Sequence, residues 1–202
     1  MTPPWLVGGI FLATFALIMT ERIDRTLAAL LGALAMILLG VVDQARAFAA
    51  VDWNVIFLLI GMMIIAGVLS ETGAFQWVAV QSVRLGRGDP WRTLVILSVV
   101  TAVASAILDN VTVIVLVAPI TLFVAGNLRA SPVPFLIAEV LASNIGGTAT
   151  LIGDPPNVLV GSAAGIDFAT FAGHMAPVGV LSLAAFIAVT PRLFRADLAR
   201  SP

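Results

Sequence analysis

Between residues 53 and 70 the chain passes without a single charge, and comparable runs recur along most of its length with only short polar interruptions. A helix needs roughly 20 predominantly apolar residues to cross the hydrocarbon layer. Within that layer every backbone N–H and C=O must be satisfied inside the protein. The runs mix Leu, Ala and Met with β-branched residues and lack the alternation of a transmembrane barrel strand. Hydrophobic residues make up 60% of the chain and charged ones 10%, outside the range of soluble domains. The expected fold class is therefore an all-α polytopic membrane protein.

Ordinary spans are expected near residues 4–20, 26–42 and 53–70. Residues 71–90 are more polar, with Phe75 and Trp77 beside Gln76, Gln81, Arg84 and Arg87, which suits a helix at headgroup level. Two apolar arms follow, 91–108 and 111–125, joined only by Asp109 and Asn110. Residues 133–165 are too long for one span and too short for two. A last span is expected near 168–190. Residues 4–20 lack the basic leader and small-residue exit of a signal peptide, and are read as an uncleaved first span.

The arginines test this order, because cytoplasmic loops collect positive charge. With the N-terminus outside, Arg22, Arg25, Arg84, Arg87, Arg92, Arg129, Arg192, Arg195 and Arg200 fall inside and only Arg46 falls outside. The C-terminus is then cytoplasmic and the chain is placed in the cell (cytoplasmic or inner) membrane. The map needs 133–165 to cross once, as a broken helix. It allows 91–125 to be either a re-entrant hairpin or two full spans with a wet outer turn.

Composition also removes function classes. There is no Lys, no Cys and a net charge of −1. This leaves no basic patch for nucleic acid, no Walker A loop and no thiolate chemistry. No HExxH pair occurs and no base stands near Ser143, so an intramembrane enzyme is not expected.

The most unusual stretch is residues 144–157, NIGGTATLIGDPPN, which is polar and Gly/Pro-rich inside an apolar segment. Irregular backbone at membrane depth is tolerated where it is buried in protein or lines a cavity. A broken helix offers N–H groups and the positive end of a dipole to anions, and freed carbonyls to cations. Gly146, Gly147 and Gly153 are expected to supply positive φ and close approach to a ligand. Pro155 and Pro156 keep the stretch from closing into helix and can start the next one. Helix capping explains Asn144 and Asp154 as well, one ending a half-helix and the other starting the next. In 91–108, Ser98, Thr101 and Ser105 form one small hydroxyl-bearing face, expected to meet protein. Pro119 is expected to kink the second arm. Ala28, Gly32 and Met36 form a similar small-residue face, expected to pack within the protomer.

The segments LDNVT (108–112), AEVLASNIGGTATLIGDPPN (138–157) and DFATFAGHM (167–175) resemble the ion transporter superfamily of arsenical pumps, NhaD-type antiporters and citrate transporter-like permeases, most of all its P protein branch. The likeness runs over nearly the whole chain. It implies one inverted-repeat half, with about five spans, a re-entrant hairpin (91–125) and a broken helix (133–165). Residues 1–70 would be scaffold, 71–90 an interfacial arm and 91–202 the transport unit. Members carry two such halves and this chain carries one. The expected partners are thus a small inorganic or organic ion, the lipid bilayer, and a second half from the same gene, a separate chain or antiparallel self-pairing.

By the same resemblance, Asn110 and Asn144 lie on paired loops facing each other across a candidate sodium site. Thr112, Thr148, Thr150 and Asn157 would add oxygens. Asp109 and Asp154, two acids at one site, favour cation or proton exchange over bare dicarboxylate binding. Glu139 is a proton-relay candidate or a hydrogen-bonded interface acid. His174, the only histidine, is a second relay candidate or a packed interfacial residue. The implied function is a secondary transporter coupled to sodium or protons, moving an anion, arsenite or a cation by alternating access and using no cofactor. An ion channel and a non-transporting truncated subunit are the alternatives.

Overall fold

The computed structural model of the chain describes residues 4–198; Arg200 and the side chain of Arg195, both counted above on the inner side, lie outside the described residues. The described residues form ten helices and no strand. The backbone falls into two compact units, 1–53 and 54–202.

The first unit holds α1 (Pro4–Met19), α2 (Arg25–Leu38) and the short α3 (Gln44–Ala49). Asp24 starts α2 by accepting from the N–H groups of Thr26 and Leu27 at 2.9 and 3.1 Å, which satisfies two of the four free donors of a helix start. Gly32 lets α2 approach α1, since a Cβ there would meet the Thr14 side chain. The face of Ala28, Gly32 and Met36 therefore packs within the protomer, as expected. The α2 helix stops at Leu38, four residues short of the expected span, and α3 was not anticipated.

The second unit holds α4 (Trp53–Glu71) from its second residue on and α5 (Ala74–Gly86), followed by a helical hairpin, α6 (Pro90–Ser105) and α7 (Asn110–Asn127). Pro90 occupies the first turn of α6 and Asp89 caps it through the Trp91 N–H at 2.9 Å. Asp109 caps α7 through the Thr112 N–H at 2.9 Å, so one polar residue both closes the turn and starts the second arm. Pro119 lies inside α7. The segment 133–165 is broken as expected, into α8 (Pro132–Gly147) and α9 (Pro155–Ala164). The α9 helix ends at Gly165, whose φ of 64° is the left-handed stop that glycine adopts without strain. Finally α10 (Phe168–Leu198) runs on beyond the expected end at 190, through Pro177 and Pro191.

Leu94 and Leu97 of α6 share a buried cluster with Val124 and Ala125 of α7, Phe135 and Ala138 of α8 and Phe194 of α10. A second cluster joins Ala66 of α4 to Leu108, Val113 and Val117 around the hairpin. The Ser98, Thr101 and Ser105 face is fully enclosed against protein, as its spacing predicts. Large apolar side chains such as Phe57, Ile64, Ile65 and Val68 of α4 point outward. In a soluble protein that much exposed apolar surface would aggregate; in a bilayer it is solvated. Among the described residues α4, α7 and residues 168–194 of α10 are long and apolar enough to cross a membrane, and α1, α2, α6 and α8 are shorter apolar helices.

Candidate functional site

The hairpin turn lies directly against the break between α8 and α9. Contacts fix the directions: Leu94 and Leu97, early in α6, share a buried cluster with Phe135 and Ala138, early in α8, and Ser105 at the end of α6 bonds to Ser143 late in α8, so α6 and α8 run the same way. Thr121 meets Glu139 and Asn110 meets Ser143, so α7 runs opposite to them. Two helix C-termini, of α6 and α8, and two N-termini, of α7 and α9, therefore converge. Each C-terminus carries free carbonyls and a partial negative charge, each N-terminus the reverse. Such a place can hold a charge of either sign.

Asn110 and Asn144 meet at its centre. The Asn110 amide Nδ2 donates to Asn144 Oδ1 at 3.1 Å, while Asn144 Nδ2 donates back to the Val140 carbonyl of its own helix at 3.0 Å. Asn144 is thus in the last full turn of α8 and not in a loop. Asn110 Oδ1 is buried and has no hydrogen-bond partner. An enclosed acceptor without a donor is costly, and an unclaimed carbonyl oxygen is what a hard cation binds. The pair lines a cleft of about 270 Å³ between α7 and α8, walled by Val111, Ile114, Val115 and Val140, with Ser143 at its floor.

Most other polar groups of the break are spent on holding it. Ser105 Oγ donates to the Ser143 carbonyl at 2.8 Å, and Ser143 Oγ reaches Ser105 Oγ at 3.2 Å and the Asn110 carbonyl at 3.0 Å. Thr150 donates to the Ala106 carbonyl at 2.6 Å and accepts from the Gly153 N–H at 3.1 Å. Asn157 sends both amide hydrogens to carbonyls, Gly147 at 3.0 Å and Thr150 at 2.9 Å. Thr148 donates to the Ile145 carbonyl one turn back, and Thr112 is half-buried beside the cap it shares with Asp109. Carbonyls freed where the helix breaks are thereby satisfied within the protein, as an apolar surrounding demands.

The glycines correct one expectation. None of Gly146, Gly147 and Gly153 has a positive φ; the glycines that do are Gly40, Gly73, Gly88 and Gly165. Their need is space. A Cβ on Gly146 would strike the Ala102 carbonyl, and Gly147 and Gly153 pack backbone against backbone. The close approach is to α6 and to each other.

Asp154 precedes α9 without bonding to its N–H groups, which leaves its carboxylate available, and Asp109 is its charged neighbour. Glu139 lies one turn before Ser143, 2% exposed, and belongs to the interior of the bundle. His174 is exposed on α10, its Nδ1 2.8 Å from the Thr170 carbonyl. Among the described residues no group of three His, Asp or Glu could hold a metal ion. The two serines that lace the hairpin to α8 were missed as site residues; their only signal is a small hydroxyl at the last turn of each helix, a pattern membrane helices use widely.

A family model described as citrate transporter matches residues 15–201. An uncharacterised transporter of Mycobacterium tuberculosis is 49% identical over 189 residues, covering 92% of this chain and 44% of that protein. A 46 kDa membrane protein of Mycobacterium leprae is 45% identical over 197 residues, covering 96% of the chain and 46% of its own length. The human P protein is 44% identical over 180 residues, 84% of this chain and 22% of that one. The chain thus spans less than half the length of these relatives.

Proposed function

Because the chain belongs to the citrate transporter family, we propose that it supplies one substrate-binding half of a secondary active transporter. The observation that carries this reading is the Asn110–Asn144 contact with its unclaimed Asn110 oxygen. That oxygen suits a sodium ion or a proton-bearing water, and Asp109, the residue before Asn110, with Asp154 as its neighbour, adds carboxylates to the same break. The N-terminal ends of α7 and α9 suit a small anion, the carboxylate class that the family's description points to, or arsenite held through oxygen since there is no Cys. Placing both charges at one break couples them, because each neutralises the other as the pair moves.

A second repeat half, from the same gene, another chain or an antiparallel copy, would complete the site across the cleft between α7 and α8. Transport then proceeds by moving hairpin and broken helix relative to scaffold, with the N-terminus outside and the C-terminus in the cytoplasm. The test is uptake of labelled citrate, and separately arsenite, into proteoliposomes of the natural gene product under an imposed sodium or proton gradient. Accumulation that follows one gradient is expected. Voltage-driven single-channel currents without coupled uptake, or no movement of either solute under either gradient, would overturn the reading.

A further inference from the structure

The interior of the α6, α7 and α8 bundle contains a carboxyl that the site above does not use. Glu139 follows Ala138 of the core cluster and is 2% exposed. Its Oε1 accepts from the Thr121 hydroxyl of α7 at 2.6 Å. Its Oε2 is buried without a hydrogen-bond partner.

Among the described residues no counter-charge faces it; the side chains of Arg195 and Asp197 on α10 lie outside them. The α7 and α9 helices contain no charged residue, and Glu139 is the only one in α8. In α6 the only one is Arg92, exposed and paired with Asp89 at 3.4 Å. Arg84 of α5, Glu71 of α4, and His174 and Arg192 of α10 are all exposed. A buried ion without a partner costs several kcal/mol, whereas a Gln or Leu of similar size would not. Ionisable groups kept inside membrane proteins at such cost mark ion or proton pathways.

The surroundings also decide which ion. One hydroxyl and one free oxygen cannot complete the shell of oxygens that a metal cation needs. A proton needs only the free Oε2. Ser143 lies one turn further along the same face of α8, and its hydroxyl touches Ser105 Oγ and the Asn110 carbonyl. Glu139 is therefore connected, through one helical turn and the Ser143 hydroxyl, to the residue that carries the unclaimed oxygen.

We propose that Glu139 is the proton-binding group of the transport unit, releasing its proton when a cation occupies the Asn110–Asn144 site and regaining it when the cation leaves. On release the Oε2–H bond breaks, the electron pair stays on the carboxylate, and the proton passes to water admitted as α7 parts from α8. The cation one turn away then compensates the carboxylate. This inference rests on the transport reading, yet its test does not require flux.

Infrared difference spectra of the natural gene product in lipid, with and without sodium, read the carboxyl directly. The expected result is loss of a protonated carboxyl C=O band and gain of a carboxylate band on sodium addition. Both changes are absent in Glu139→Gln, and the C=O band is shifted in Thr121→Val. In proteoliposomes Glu139→Gln should lose the pH dependence of uptake. A wild-type carboxyl band unmoved by sodium, or a wild-type pH profile in Glu139→Gln, would overturn the proposal and leave Glu139 a structural hydrogen-bond acceptor. If Glu139→Gln fails to fold, the wild-type and Thr121→Val spectra decide. Absence of uptake in a protein that shows the band exchange would count against the transport reading alone.

Discussion

The α1–α2 pair and the α6–α8 pair are both made of short apolar helices in close contact, yet they are held by different means. In the first, α1 has no buried residue and α2 only Ala28, and the contact is a glycine against the Thr14 side chain. In the second, the buried residues of α6 include Thr93, Ser98, Thr101 and Ser105, and backbone meets backbone at Ala102 and Gly146. Lipid tails are as apolar as Leu, so burying Leu gives helices in a bilayer little reason to associate. Close packing and interhelical hydrogen bonds must do it. The difference marks where the chain needs one defined geometry: around the break, and not at α1 and α2.

Three glycine substitutions press this contrast hardest. Gly146→Ala pushes a methyl into the Ala102 carbonyl, and neither backbone can turn aside. It should destabilise the protein by at least the roughly 1–3 kcal/mol typical of overpacking, seen as a large fall in melting temperature in detergent. Gly32→Ala meets only the Thr14 side chain, which can rotate after giving up its 2.8 Å bond to the Ile10 carbonyl, so the loss should be clearly smaller. Gly61→Ala, with nothing within 4 Å of the added atom, should be neutral or stabilising, by up to about 1 kcal/mol of helix propensity. Equal effects from all three would erase the distinction between the two pairs.

The polar stitches come next. Thr150→Val removes both the donor to Ala106 and the acceptor for Gly153, leaving enclosed backbone groups unpaired. A loss of about 1–3 kcal/mol is expected, with thermal unfolding in detergent as the measurement.

The smallest effect belongs at the surface. The Thr170 N–H and hydroxyl hold the exposed Asp167 carboxyl below the usual carboxylate range. A depressed carboxylate contributes stability above its unfolded value, and that contribution is lost as pH falls through the folded value. The first turn of α10 should therefore lose amide protection only at strongly acidic pH, and at a higher pH in Thr170→Val. Identical hydrogen-exchange profiles would remove this role.

Local patterns in the sequence foretell much of this architecture. Asp109, Pro132 and Pro155 are start signals readable in place, and the spacing of Ser98, Thr101 and Ser105 marks a packed face before any partner is known. What joins distant segments is not written locally. Nothing near Thr121 announces Glu139, and nothing near Ala106 announces Thr150, because each bond depends on helix register set by the whole bundle. The juxtaposition of Asn110 and Asn144 was expected through family resemblance, while composition indicated only that the 144–157 stretch was out of place in lipid. Gly146 shows the limit of reading residue type alone: glycine signals either an unusual φ or a close approach, and only packing tells which.

The central claim is that the Asn110–Asn144 contact is an ion site and not merely another stitch. Gradient-driven uptake by Asn110→Ala and Asn144→Ala, each with a melting temperature near that of wild type, tests it against Asn127→Ala, whose amide only donates to the Phe123 carbonyl of its own helix. The account predicts that cation-driven uptake is lost in the first two and kept in the third; wild-type uptake by Asn144→Ala would contradict it.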